Sequence, residues 1–127
     1  MSKSDYLEAQ LINHVLRGTA YSSPTAVYAA LYTAAPTDAG GGTEVSGGSY
    51  VRQQVTFSTP SGGETSNTAE VIFPLATADW GTLVAVGIFD AVSAGNLLYW
   101  ANLNASRTIL TNDQFRFPAS QLIVQED

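Results

Sequence analysis

Apolar residues at Leu7, Leu11, Ile12, Val15 and Leu16 keep the three-and-four spacing of one helix face, with Glu8, Gln10, Asn13 and Arg17 opposite. The spacing predicts a helix over residues 5–17. Asp5 with Glu8 three positions later reads as a capping box at its start. Arg17 suits the last turn, and Gly18 supplies a left-handed stop. A helix of about three turns is marginal in water on its own. Its apolar face therefore has to pack on its own sheet or on a neighbouring subunit.

After Pro24 the period changes to two. Val27, Ala29, Leu31 and Thr33 alternate with Tyr28, Ala30 and Tyr32, a strand with bulk on both faces. Val51, Val55 and Phe57 alternate with Arg52, Gln54 and Thr56, a strand wet on one side. Further strands are expected over 69–73, 83–89, 97–103 and 122–125, with a weaker region from 108–110 to 117. Residues 83–89 are apolar on both faces, as a central strand is, and Gly87 within them marks a bulge or a close neighbour. Gly95-Asn96 reads as the end of a hairpin connection, and Pro74 and Pro118 stop the runs before them. Six or seven short strands divided by turn-rich gaps, including 58–67, predict a single mainly β domain. The expected architecture is an antiparallel β-sandwich or jelly-roll-like barrel with one N-terminal α-helix; a mixed α+β sheet is the alternative.

Between the first two strands lies a loop at 34–50 in which five of seventeen residues are glycine. Loops of this length inside a compact domain are usually functional or disordered. Glycine lets its backbone take positive φ and approach other surfaces closely. Gly40, Gly41, Gly42, Thr43, Glu44 and Tyr50 are accordingly candidate interface residues, with Leu11 and Val15 on the helix. Trp80 joins them because Asp79-Trp80-Gly81 reads as a turn before the central strand.

Composition narrows the function. Charged residues make up 13% of the chain, about half the usual fraction, against 45% hydrophobic. A surface made largely of Ser, Thr, Asn, Gln, Gly and Ala is easily desolvated, which favours near-neutral contacts with other protein subunits; a plain Thr/Ser-rich exterior accounts for the same numbers. The net charge of −6, with only five basic residues, scattered along the chain, argues against nucleic acid and against an anionic membrane as partners. The N-terminus is polar, and no apolar run approaches membrane-spanning length.

Chemistry finds little footing. The chain has no cysteine and one histidine, His14, with no second ligand at metal spacing. Gly40-Gly41-Gly42 is followed by Thr43-Glu44, a negative charge where a phosphate loop needs a cation. No Gly-x-Ser-x-Gly elbow occurs. The acids read as caps and turn residues, with no spacing that selects a glycosidase pair. Calcium is the metal loop carboxylates suit best, but its Asp-x-Asp-x-Asp-Gly pattern is missing. No catalytic residue, metal or cofactor is expected. Exposed tyrosines and tryptophans form a candidate sugar platform or interface hot spot, set against ordinary packing in a β protein.

Several blocks, in order, resemble a family of small virion proteins of tailed bacteriophages, commonly labelled tail fibre or decoration proteins. They are Leu-Ile-Asn-His-Val-Leu-Arg-Gly at 11–18, Val-Tyr-Ala-Ala-Leu-Tyr-Thr at 27–33 with Pro-Thr-Asp-Ala-Gly at 36–40, Thr-Glu-Val-Ser-Gly-Gly-Ser-Tyr at 43–50, and Asp-Trp-Gly at 79–81 leading to Gly-Ile-Phe-Asp-Ala at 87–91. The similarity spans nearly the whole chain. It implies a non-enzymatic particle component on the virion surface, made in the host cytoplasm. A fibre shaft normally shows repeats or heptads, and this sequence has neither. The expectation is therefore a capsid decoration or cement protein, trimeric and bound to the major capsid protein or other virion subunits. The alternative is a tail-fibre or baseplate-associated adhesin that binds a host cell-surface glycan.

Overall fold

The computed structural model describes residues 1–126. Among them are ten strands and one helix: β1 (Ser2–Lys3), α1 (Asp5–Arg17), β2 (Val27–Ala34), β3 (Thr43–Glu44), β4 (Gln53–Val55), β5 (Glu64–Ser66), β6 (Val71–Ile72), β7 (Gly81–Phe89), β8 (Leu97–Ile109), β9 (Arg116–Phe117) and β10 (Ile123–Gln125). With 41% strand and 10% helix the protein is mainly β, as its alternation predicts. All strand pairings are antiparallel.

The principal sheet has six strands in the order β1-β8-β7-β2-β3, with β4 also paired to β2. Its centre is the pair most apolar in sequence, β2 and β7, in register from Tyr28 opposite Phe89 to Tyr32 opposite Ala85. One face carries Ala29, Leu31, Leu83, Val86 and Ile88. Against it pack Val71, Phe73, Phe115, Phe117 and Leu122, contributed by or next to two two-stranded ribbons, β6-β9 and β5-β10. The second layer of the sandwich is thus two short ribbons. Phe73, Phe115 and Phe117 form its centre, with ring centroids 4.9 to 6.4 Å apart.

Asn67 joins the two ribbons. Its side-chain amide donates to the Ala69 and Pro118 carbonyls at 2.8 and 3.0 Å, and its side-chain oxygen accepts from the Leu122 N–H at 2.9 Å. At 1% exposure it is a buried polar residue with every side-chain group partnered.

The opposite face carries Ala30, Tyr32, Ala85, Phe89 and Leu97, with Trp100 at its margin. Tyr99 and Trp100 lie on opposite faces, as alternation requires. Gly87 is the close-neighbour case: a Cβ there would stand 2.9 Å from Leu97 Cδ1 and 3.0 Å from Tyr32 Cε1.

Local expectations need correction in four places. The helix cap is Ser4, whose hydroxyl accepts from the Leu7 N–H at 3.2 Å, so Asp5 opens the helix instead of capping it. The strand expected at 51–57 shortens to β4, and 97–103 and 108–110 fuse into β8. That fusion has a price in regularity, for a two-residue step on β7 from Leu83 to Ala85 faces a five-residue step on β8 from Arg107 to Asn102. The turn-rich stretches hide β3 and β5, too short and too polar to show a period.

Candidate functional site

The glycine-rich loop is built into the fold. Thr37 and Gly40 exchange backbone hydrogen bonds at 2.8 and 2.9 Å, closing a tight turn, and β3 then returns along β2. Asp38 accepts from Trp100 Nε1 at 2.8 Å and from the Ser2 hydroxyl, and its carbonyl accepts from the Asp5 N–H. These bonds, Ser2 first and Trp100 second, hold the Asp38 carboxyl below its ordinary value. Val45 enters the core.

Gly40, Gly41 and Gly42 all adopt positive φ, between 76° and 96°. At Gly42 a Cβ would meet the Ala34 carbonyl oxygen and the Pro36 nitrogen at 2.7 Å. Alanine at Gly42 therefore meets a steric clash on top of backbone strain, whereas at Gly40 and Gly41 only the strain of positive φ opposes it. Thr43 is exposed at the start of β3.

Glu44 and Tyr50 meet in a polar knot that sequence spacing did not reveal. Arg52, 8% exposed, donates to both Glu44 oxygens at 2.8 and 2.9 Å, and to the Ala91 and Ala94 carbonyls at 3.0 and 2.7 Å. Its guanidinium lies 3.7 Å over the Phe89 ring. The Tyr50 hydroxyl donates to Glu44 at 2.6 Å and accepts from the Leu31 N–H at 3.0 Å. Burial, then the Glu44 hydrogen bond, pushes the Tyr50 hydroxyl far up. Tyr32, beside the same carboxylate, is raised to about 12, burial being the larger cause. The knot ties the long loop to the β7–β8 connection, where Ala94 holds φ 53°.

Trp80 is 6% exposed, and its indole N–H donates to the Gly48 carbonyl at 2.8 Å. It does precede β7 in a turn, but it fastens the loop from inside and presents no platform to solvent. Tyr50 packs edge-on against it, centroids 5.5 Å apart. Of the tyrosines and tryptophans weighed as a sugar platform, Tyr32 and Trp100 lie on one face of the sheet, Tyr99 lies on the other, and Tyr50 and Trp80 anchor the loop.

Leu11 and Val15 stand apart from this loop cluster. Ser4 roots α1 on β8 through the Leu97 and Leu98 carbonyls. Leu7 is the only buried helix residue. Leu11 is half-buried, while Ile12, Val15 and Leu16 are 55%, 71% and 76% exposed. The amphipathic pattern is real, yet the rest of the chain buries only Leu7 fully and leaves the C-terminal part of the stripe open. Gly18, at φ 66°, ends the helix as expected, and Arg17 bonds to Asn13 at 3.0 Å.

A second open apolar feature is a groove of about 400 Å³ between the principal sheet and the β5-β10 ribbon. Val27, Phe57, Ile88, Leu98, Tyr99 and Val124 line it, with Glu64 and Glu126 among its polar residues. Burial, then Glu126, raises Tyr99 to about 12. Glu126 pairs with Lys3 at 2.9 Å.

Among the described residues no group of three or more His, Asp or Glu side chains could hold a metal ion. The acids serve turns: Asp79 accepts from Thr111, Asp90 from Asn96, and Asp113 from the Leu110 N–H. No helix among them is long and apolar enough to cross a membrane. The chain is thus a mainly β protein with a compact core and exposed apolar side chains along one helix.

Comparison with known families places it. The chain belongs to the family described as podophage GP4 fiber I protein gp80, whose model matches residues 2–125, and it is thereby a structural protein of the phage virion. A comparison with curated proteins finds no match.

Proposed function

We propose that this chain is a non-enzymatic fibre subunit of a tailed-phage particle, seated among other virion proteins through the apolar face of α1. The carrying observation is the match over residues 2–125 to a family described by a fibre protein. Its structural support is the helix, which leaves Ile12, Val15 and Leu16 uncovered and has little stability of its own. Such a face, on a chain of low charge, suits permanent burial against protein. Self-association into a trimer belongs to the same proposal, and this fibre role does not use Trp80 as a glycan contact.

Decoration of the capsid is the second reading, favoured by the absence of any repeat within these 127 residues. Copy number and position in purified particles separate the two. A fibre subunit will be scarce relative to the major capsid protein, with its density at the tail in cryo-electron microscopy. Density spread over the head, at near-shell abundance, would replace the fibre assignment by decoration. Absence from particles would end both.

A further inference from the structure

The helix stripe and the groove are two apolar features that the described residues leave open, and they match each other. The groove's floor is aliphatic and aromatic, and about 400 Å³ is room for several aliphatic side chains. The helix offers Leu11, Ile12, Val15 and Leu16 as one stripe, the anchor spacing with which a helix fills a groove.

Charge agrees. Among the described residues Glu64, at the groove, accepts from Gln125 at 2.6 Å but has no cationic partner, and Arg17, at the end of the helix, has no carboxylate partner. Both elements also meet the same end of β8: Ser4 roots the helix on Leu97 and Leu98, and Leu98 and Tyr99 line the groove. One copy therefore presents a donor and an acceptor close together.

We propose that α1 of one copy lies in the β5-β10 groove of a second copy, its apolar stripe on the groove floor and Arg17 beside Glu64. The inference rests on the assembly reading above and names the partner surface. One helix on one groove covers less than the roughly 800 Å² per partner of a standard interface. Closure of the assembly lets every copy contribute both a helix and a groove, doubling the buried surface per chain.

The purified full chain tests it by light scattering and crosslinking. Wild type will run as an oligomer. Val15→Glu with Leu16→Glu will give monomer mass with the circular dichroism of the fold retained, because neither side chain is packed within its own chain, and its melt will no longer depend on protein concentration. Arg17→Glu and Glu64→Arg will each weaken the oligomer, and together they will restore it. The native chain has no cysteine, so Leu16→Cys combined with Pro60→Cys at the groove gives a clean trap. The pair will form intermolecular disulfides on oxidation, and neither single variant will do so to the same extent.

A monomeric wild type overturns the proposal. So does an oligomer that survives the helix variant, or a Cys pair that links no better than its singles. None of these results touches the particle assignment, which is decided by incorporation into virions.

Discussion

Arg52 is the residue on which most separate pieces of this chain converge. Its guanidinium holds Glu44 of β3, two carbonyls of the β7–β8 connection and the face of Phe89 at once. Replacing it by alanine leaves Glu44 without its counter-ion and two carbonyls without donors. Removing one partner of a buried pair costs about 3 to 5 kcal/mol, and the partial exposure of Glu44 places this site at the lower end. Urea denaturation of Arg52→Ala will read a loss of about 3 kcal/mol; a loss below about 1 kcal/mol would mean the knot behaves as a surface pair. In the sequence Arg52 is an ordinary polar position of an alternating strand. Only the tertiary fold brings Glu44, Ala91 and Ala94 around it, so no spacing rule could have found it.

At the level of elements, the second layer depends on Asn67. The β6-β9 and β5-β10 ribbons have two and three residues in each strand, too few for independent stability. Asn67 joins them by three side-chain hydrogen bonds at 1% exposure. Asn67→Ala will lower stability by about 2 to 3 kcal/mol, since the Leu122 N–H is left buried without its acceptor. Hydrogen exchange will show the loss first in Glu64–Ser66 and Ile123–Gln125. Unchanged protection there would mean apolar packing alone aligns the ribbons. The long strands and the helix were legible because their periods persist over several residues. β1, β3 and β5 were not, since two or three residues carry no period and their pairing partners are remote.

For the whole molecule, alkali tests how the two faces of the sheet are sealed. Tyr32 on one face and Tyr99 on the other are both raised to about 12 from the ordinary 10.0, each chiefly by burial and then by a carboxylate. The fold thus favours the neutral hydroxyls. Their contribution is complete below pH 10, declines as the unfolded chain begins to ionise, and is gone above about pH 12. Thermal midpoints will hold to pH 10 and fall between pH 10 and 12, with tyrosinate absorbance rising late. Nearly complete tyrosinate absorbance by about pH 11 with an intact fold would contradict the burial of these hydroxyls.

Sequence alone determined the mainly β character, the helix with its apolar stripe and glycine stop, the central strand and the poverty of chemical groups. These follow from periodicity and composition, which are local. Tertiary structure decided which apolar residues became core. It drew the glycine loop into a polar knot, turned Trp80 inward, and left Ile12, Val15 and Leu16 uncovered. An amphipathic pattern specifies that a face will be buried; the partner that buries it depends on how far the chain's own sheet reaches. Here that cover ends before Ile12, Val15 and Leu16.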